Sequence, residues 1–175
     1  MRSIKIEVFG LVQGVGFRPF VYSLAKNLEL NGTVLNDSSG VKIELCGDEK
    51  NIDEFISKLK IDLPPLARID NIIISNSDKI YDDFNIISSQ ESYKFAPILP
   101  DFAICDECKS ELKDPMNRRY NHPFINCTNC GPRFSLIKSL PYDRINTTMG
   151  KFNMCKQCQD EYKDPTNRRY HAQPV

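Results

Sequence analysis

Six of the seven cysteines in this 175-residue chain form three Cys-x2-Cys pairs, and all six lie after residue 100. Cys105 and Cys108 are followed by Cys127 and Cys130, with eighteen residues between the two pairs. Two pairs at this spacing are typical of one four-thiolate zinc site. The pattern therefore predicts a structural zinc ion in the carboxy-terminal part of the chain, in preference to a set of buried free thiols.

The third cysteine pair belongs to an internal repeat with an offset of fifty residues. The segment Cys105–Tyr120 recurs as Cys155–Tyr170, and both copies contain the motif Lys-Asp-Pro-x-Asn-Arg-Arg-Tyr. At this offset, the cysteines that would close the second copy fall at positions 177 and 180, beyond Val175. We therefore expect a second metal site on Cys155 and Cys158 that is incomplete in this chain, with His171 either a third ligand or a surface histidine.

Composition places the chain among globular proteins. Hydrophobic residues make up 41% and charged residues 26%, which excludes a disordered or fibrous chain. No apolar stretch reaches the length of a membrane span, and the first residues lack the apolar run of a signal peptide. We therefore expect a cytoplasmic protein with no membrane partner, in a compartment where cysteines serve as metal ligands more often than as disulfides.

The charge is balanced overall but differs between the two halves. Residues 1–100 carry 11 basic and 14 acidic side chains, and residues 101–175 carry 12 and 9. The repeated Asn-Arg-Arg-Tyr segments could contact nucleic acid, because arginine and tyrosine grip phosphates and stack on bases. A net charge of only +3 argues against this, so we predict no nucleic-acid partner and expect the arginines to pair locally or to dock a neighbouring domain.

The cysteines and charges predict a first domain over residues 1–90, a polar linker over 91–100 and a zinc-finger domain over 101–175. In the first domain, alternating residues predict strands, and apolar residues at helical spacing predict two helices. The first helix should begin with Pro19 in its first position and stop at Asn31-Gly32. The order of elements is βαββαβ, which suggests an α+β, ferredoxin-like architecture.

A glycine-bearing loop precedes the first predicted helix. Glycines let backbone N–H groups turn inward to bind an anion, and the helix amino terminus adds a favourable dipole. The predicted phosphate-binding residues are consecutive: Gln13, Gly14, Val15, Gly16, Phe17 and Arg18. The alternative is a simple glycine turn with a surface arginine. Asn36, at the end of a predicted strand, could orient a water molecule for attack, although Asn-Asp-Ser-Ser-Gly is also a common turn sequence.

Together these two motifs resemble the acylphosphatase family. Phe9 to Arg18 looks like the signature loop of that family, and Gly32 to Asn36 looks like its second motif, a strand that ends in asparagine. The resemblance covers about residues 1 to 90 and implies a hydrolase. It implies that Arg18 and the loop amides bind phosphate and that Asn36 positions the hydrolytic water. One departure is Pro19, which should hold Arg18 at the junction of loop and helix.

The repeat and the segment Phe124–Phe134, with its Cys-Thr-Asn-Cys-Gly-Pro-Arg core, resemble the zinc-finger region of the HypF family of hydrogenase maturation carbamoyltransferases. That family begins with an acylphosphatase-like domain, so the resemblance spans the whole chain. It implies an acylphosphatase sandwich followed by a small zinc-ribbon-like domain with a structural zinc. It also implies that longer members continue into YrdC-like and carbamoyl-transfer domains.

The HypF resemblance implies a specific chemistry. The first domain would hydrolyse carbamoyl phosphate to carbamate and phosphate, and the whole protein would use ATP to carbamoylate a HypE-type partner for cyanide-ligand synthesis in [NiFe] hydrogenases. Two other interpretations remain open at this point. One is a general acylphosphatase fused to an unrelated zinc module, and the other is a non-catalytic zinc protein that binds an anion or nucleic acid.

Overall fold

The computed structural model describes residues 1–37, 40–87, 100–139 and 144–175. The chain divides into two compact units, Met1–Pro97 and Ile98–Val175. The predicted linker over residues 91–100 lies outside the described residues, except for Pro100. Within the described residues, no helix combines the length and the apolar character needed to cross a membrane.

The first unit contains one five-stranded sheet and two helices. Its elements, in chain order, are β1 (Arg2–Leu11), α1 (Phe17–Asn27), β2 (Asn31–Asp37), β3 (Gly40–Gly47), α2 (Glu49–Ile61), β4 (Arg68–Asn76) and β5 (Phe84–Ile86). The strand order is β4-β1-β3-β2-β5. The first four strands pair antiparallel, and the short β5 adds parallel to β2. This arrangement confirms the predicted ferredoxin-like, α+β fold.

The core of this unit lies between the sheet and the two helices. Ile4, Ile6 and Val8 are fully buried on one face of β1, because side chains alternate between the faces of a strand. Residues of the opposite face are half-buried, and Lys5 and Glu7 form an ion pair there. Complete burial of a large apolar side chain stabilises the fold by about 1.5–3 kcal/mol, so the alternation fixes which face the helices cover.

The first helix starts and stops earlier than the sequence predicts. It begins at Phe17 and ends at Asn27, so Pro19 is its third residue and not its first. The prediction that Asn31-Gly32 stops the helix is wrong, since both residues belong to β2. The chain turns instead at Glu29, which has a left-handed φ of 53°. Gly32 serves the sheet, because a Cβ there would lie 1.9 Å from the carbonyl oxygen of Glu44.

The second unit repeats one helical motif twice. Helices α3 (Asp106–Lys113) and α4 (Lys156–Lys163) each begin directly after the first cysteine of a pair. Each motif then ends at a residue with a left-handed φ, Asn121 at 54° and His171 at 52°. In the described part of this unit, the one isolated β-bridge joins Ile137 and Thr147. The likeness to a zinc ribbon thus extends to the cysteine pairs, whereas helices follow where a ribbon would have hairpins.

Candidate active site and metal centre

The loop between β1 and α1 has a buried apolar side and an outer glycine side. Val12, Val15 and Phe17 are buried, which anchors the loop to the core. Gly14 and Gly16 have left-handed φ values of 72° and 77°, which glycine adopts without steric cost. A Cβ at Gly14 would meet no other atom within 4 Å. Left-handed residues in such a loop turn backbone N–H groups towards one side, which suits an anion.

The amino terminus of α1 directly follows these glycines. Gly16 is the residue that caps the helix, and within the described residues no side chain caps this end. The first turn also contains no acidic residue, so its positive end is not neutralised locally. Arg18 is the second residue of the helix and is half-buried. Long helical side chains lean back towards the amino terminus, which directs the Arg18 guanidinium to the end where an anion is favoured.

The side chain of Gln13 ties this loop to the β2–β3 hairpin. Its amide nitrogen donates to the backbone carbonyl oxygen of Asp37 at 2.7 Å and to that of Gly40 at 2.8 Å. An amide NH2 group has two N–H bonds, and the two carbonyl oxygens occupy both. Gln13 was predicted within the phosphate-binding loop, and its side chain anchors that loop to the end of β2.

Asn36 lies at the same edge of the sheet as the loop. Strands β1 and β2 are both antiparallel to β3, so they run in the same direction and end at one edge. Asn36 pairs with Val41, which pairs in turn with Val8, and it lies two residues after the buried Val34. Side chains in such a row share one face, so Asn36 is on the face that the helices cover.

The carbonyl oxygen of the Asn36 side chain is buried, and no described residue donates a hydrogen bond to it. Leaving a buried acceptor without a partner costs about 1–3 kcal/mol. Such groups in native proteins call for an explanation, which includes a bound water molecule or a catalytic role. The oxygen therefore marks a place where a donor from a ligand or water molecule would be stabilised.

The second unit brings four cysteines together. The sulfur atoms of Cys105, Cys108, Cys127 and Cys130 all lie within 4.8 Å of one another. The described cysteines are free. The separations are 3.6 Å for Cys105–Cys127, 3.8 Å for Cys127–Cys130 and 3.9 Å for Cys130–Cys108. A zinc ion with bonds of about 2.3 Å to four sulfurs has sulfurs about 3.8 Å apart, so this donor set fits a tetrahedral ion.

Hydrogen bonds around the cluster favour thiolate over thiol at one position. The sulfur atoms of Cys108 and Cys127 lie within hydrogen-bonding distance of the Cys130 sulfur, and these contacts hold the pKa of Cys130 well below the usual value. The backbone N–H of Cys127 and the guanidinium of Arg133 also lie 3.3 and 3.5 Å from the Cys130 sulfur. Arg133 is itself buried, and it donates to the carbonyl oxygen of Ile125. The contacts therefore hold the Cys130 sulfur in a fixed position and favour its thiolate form, the form that binds a metal ion.

The second cysteine pair does not form a comparable group. Among the described residues, the cluster of the first repeat is the one set of three or more ligand atoms close enough for a metal ion. His171 stacks between two aromatic rings, 5.0 Å from Tyr162 and 4.2 Å from Tyr170. The structure does not bring His171 into a three-ligand set with Cys155 and Cys158.

The paired arginines of each repeat contact the other repeat. Arg168 donates to the sulfur of Cys108 at 3.2 Å and to Glu111 at 2.5 Å, while Arg169 also contacts Glu111. The equivalent contacts run from Arg118 and Arg119 to the second repeat, and the acceptors there are Cys158 and Glu161. The four arginines thus find acidic partners inside the unit, which agrees with the expectation of local pairing.

Two features of the structure were not predicted from the sequence, the two glutamates and the anchoring role of Gln13. Glu111 and Glu161 are themselves related by the fifty-residue offset, so the repeat contained the signal. Burial would raise the pKa of Glu111, but the guanidinium groups of Arg168 and Arg169 outweigh it and lower that pKa. The Gln13 side chain donates to backbone acceptors at the end of β2 and the start of β3, and no residue type in the sequence indicates such partners.

Known proteins match both units. Residues 4–86 match the acylphosphatase family, and residues 104–137 and 154–175 match the HypF finger. The carbamoyltransferase HypF of Synechocystis sp. is 47% identical over 150 residues, which are 85% of this chain and 20% of that protein. An acylphosphatase of Ligilactobacillus salivarius is 41% identical over 88 residues, which are 49% of this chain and 98% of that protein.

A solved structure extends the match to nearly every residue. The crystal structure of full-length HypF in its phosphate- and nucleotide-bound form aligns with a TM-score of 0.89 and 52% identity, over 99% of this chain and 23% of that one. This chain thus spans about a fifth of the length of the HypF proteins it matches. The presence of the HypF finger argues against an unrelated zinc module. The chain belongs to the carbamoyltransferase HypF family and contains its acylphosphatase domain and its finger.

Proposed function

We propose that the first unit hydrolyses carbamoyl phosphate to carbamate and inorganic phosphate. The observation that carries this proposal is the unsatisfied, buried side-chain oxygen of Asn36 at the sheet edge where the glycine loop opens α1. The glycine loop suits an anion, and the Asn36 oxygen suits a water molecule. A phosphate ester or anhydride with a nearby attacking water requires both.

The phosphoryl group would lie at the amino terminus of α1, where no described side chain caps the helix. The backbone N–H groups from Gly14 to Arg18 and the Arg18 guanidinium would donate to its oxygens. These donors are fixed by the fold before substrate binds, and they would stabilise negative charge as it develops in the transition state. A bidentate arginine contact also fixes the orientation of the phosphoryl group.

Asn36 would accept a hydrogen bond from the attacking water and aim it at phosphorus. The water oxygen forms a bond to phosphorus while the bond from phosphorus to the carbamoyl oxygen breaks, and carbamate leaves as an anion. The water protons remain with the phosphate product. Because a mixed anhydride has a good leaving group, positioning of the water can suffice without a general base.

The carbamoyl specificity and the later steps rest on the family. The relatives are named carbamoyltransferases, and about four fifths of their length lies outside this chain. We propose that the additional YrdC-like and carbamoyl-transfer domains use the carbamate with ATP and pass the carbamoyl group to a HypE-type protein. The full-length protein with an Arg18→Ala change should then fail to carbamoylate that partner, whereas an Arg68→Ala control should succeed.

For the second unit we propose a structural role for zinc. Cys105, Cys108, Cys127 and Cys130 would fill all four positions of a tetrahedral ion, which leaves no open position for catalysis. The ion would cross-link the chain segments that contain the two cysteine pairs. These segments otherwise share only a small buried cluster, which consists of Cys108, Ile125, Cys127 and Cys130. Removal of the metal should therefore unfold this unit without direct loss of phosphatase chemistry in the first.

The test is phosphate release from carbamoyl phosphate, acetyl phosphate and p-nitrophenyl phosphate, corrected for spontaneous decay. The proposal expects turnover of both anhydrides, a preference for carbamoyl phosphate and little activity on the monoester. Arg68 pairs with Asp70 on the exposed surface, so Arg68→Ala is a matched control for Arg18→Ala. Faster turnover of acetyl phosphate would indicate a general acylphosphatase. Phosphate binding without turnover of any substrate would indicate a binding module and contradict the proposal.

A further inference from the structure

We propose that Arg168 and Arg118 are positioning residues for the metal-binding cysteines of the opposite repeat. Metal affinity in one repeat would then depend on a side chain that the other repeat supplies. This inference rests on the proposed metal role of the cysteines. It goes beyond that role, because it makes the two repeats a single metal-binding unit.

The contacts at the first metal site carry the argument. The Arg168 guanidinium reaches the sulfur of Cys108 through Nη1 at 3.2 Å and Glu111 through Nη2 at 2.5 Å. The backbone of Arg168 is held as well, since its carbonyl oxygen accepts from the backbone N–H of Thr128 at 2.8 Å and from its hydroxyl at 3.0 Å. Thr128 lies between Cys127 and Cys130, so the first site contacts both the side chain and the backbone of Arg168.

The reciprocal contacts repeat the arrangement with the roles of the two copies exchanged. Arg118 Nη1 lies 3.2 Å from the sulfur of Cys158 and 3.8 Å from that of Cys155. Its Nη2 lies 2.6 Å from Glu161. One difference is that Arg119, the equivalent of Arg169, also lies 3.8 Å from the Cys158 sulfur. A chance surface contact would not recur at the same two positions of a fifty-residue repeat. The recurrence indicates that the guanidinium-to-sulfur contact is a property of the motif.

The chemistry of the site explains how these contacts would affect metal binding. Four thiolates carry more negative charge than one divalent ion neutralises, so the sulfurs remain electron-rich after metal binding. An N–H bond aimed at a thiolate stabilises the ligand form over the protonated thiol and fixes the direction of the sulfur lone pairs. Partners of this kind behind the ligands commonly change metal affinity about 10- to 100-fold.

The chain supplies a matched control for this contact. Arg169 adjoins Arg168 in sequence and shares its carboxylate partner Glu111, while Arg168 also lies 3.7 Å from the exposed carboxylate of Glu107. Unlike Arg168, Arg169 makes no hydrogen bond to a sulfur of the first site. If the arginines only join the repeats through ion pairs, loss of either one should affect the first site alike. If the sulfur contact matters, loss of Arg168 should weaken metal binding at the first site more than loss of Arg169.

The experiment measures metal affinity of the whole chain by competition with chelators of graded strength, for zinc and for cobalt(II). We expect Arg168→Gln to weaken metal binding at the first site about 10- to 100-fold, and Arg169→Gln to weaken it much less. Arg168→Lys should recover part of the affinity, because an ammonium group can still donate to sulfur. Circular dichroism of the metal-loaded variants identifies any that fail to fold.

The absorption of cobalt(II) separates positioning from general stability. A thiolate that loses its N–H donor gives up electrons more readily, so the sulfur-to-cobalt band of Arg168→Gln should move to longer wavelength. The band of Arg169→Gln should not move. Equal affinities and identical bands for the two variants would overturn this inference alone. Failure of the unchanged chain to bind zinc or cobalt tightly would instead overturn the proposed metal role.

Discussion

The side-chain amide of Gln13 donates a hydrogen bond of 2.7 Å to the backbone carbonyl oxygen of Asp37, twenty-four residues along the chain. Asp37 directly follows Asn36, so this bond links the loop proposed to bind phosphate to the strand end proposed to hold water. The distance between the two halves of the site is therefore set by a side chain that needs no contact with the substrate.

We predict that Gln13→Ala lowers kcat more than it raises KM. The change removes two hydrogen bonds to backbone carbonyls, each with a net worth of about 1 kcal/mol, so the water and the phosphoryl group would lose their mutual alignment. Kinetics with carbamoyl phosphate and a urea unfolding curve measure the two effects. Asn71→Ala, on the exposed part of β4, serves as control. A kcat equal to that of the control would contradict the role.

For Arg18→Ala we predict loss of hydrolysis in a folded protein. A charge-assisted contact to phosphate is worth about 1.5–3 kcal/mol, which corresponds to roughly 10- to 150-fold in rate if it is lost in the transition state. The phosphate-release assay and circular dichroism measure the two outcomes. Near-normal turnover with a normal spectrum would remove Arg18 from the proposed site.

Asn36→Ala should separate catalysis from binding. The proposed partner of Asn36 is water, so the ground-state affinity for substrate should change little while kcat falls. The change also removes the buried acceptor that lacks a partner among the described residues, so we expect the free energy of unfolding to stay equal or to rise. Steady-state kinetics and urea unfolding test both. A large increase in KM with unchanged kcat would indicate a direct contact to the substrate.

The chain as given should bind one zinc ion tightly and a second one weakly. Four sulfurs come together in the first repeat, whereas the second offers Cys155 and Cys158, and affinity falls with fewer thiolates. Metal content after treatment with a graded chelator gives the count. Cys127→Ser should abolish the tight site, while Cys155→Ser should affect only the weak one. Two equally tight ions would show that other groups complete the second site.

Acid should release the ion pairs that join the two repeats. The guanidinium groups lower the pKa of Glu111 from its ordinary value of 4.5, so the pair stabilises the folded state at neutral pH. That stabilisation is lost as the pH falls from about 4.5 through the lowered pKa. Thermal unfolding of the wild type and Glu111→Gln should therefore differ at pH 7 and converge on acidification.

The fold of the first unit could be predicted well because its signals are local. Alternation in β1 and the helical spacing of apolar residues each depend on residues close in sequence. The end of α1 could not be predicted in the same way. Asn31-Gly32 has the chemistry of a helix stop, but the close approach of Glu44 to Gly32 explains that glycine. A tertiary contact across two strands therefore overrode a local signal.

In the candidate site, too, features with local signals could be predicted and features that depend on tertiary contacts could not. The positions of Arg18 and Asn36 follow from motifs, and the cysteine cluster follows from spacing. The anchoring by Gln13 and the contacts of Arg168 to Cys108 and Glu111 join residues far apart in sequence. Their geometry depends on how strands and repeats pack, which residue types alone do not encode.

The reciprocal contacts between the two repeats also limit how many copies of the repeat can pack together. The arginines of each copy contact the glutamate of the other copy. This reciprocal pattern is that of an isologous interface, in which both partners use the same surface. Stacked solenoid repeats instead leave one surface open for each further copy. Both arginine pairs and both glutamates already contact each other here, so the duplication forms a closed pair, and the described residues offer no equivalent surface to a third copy.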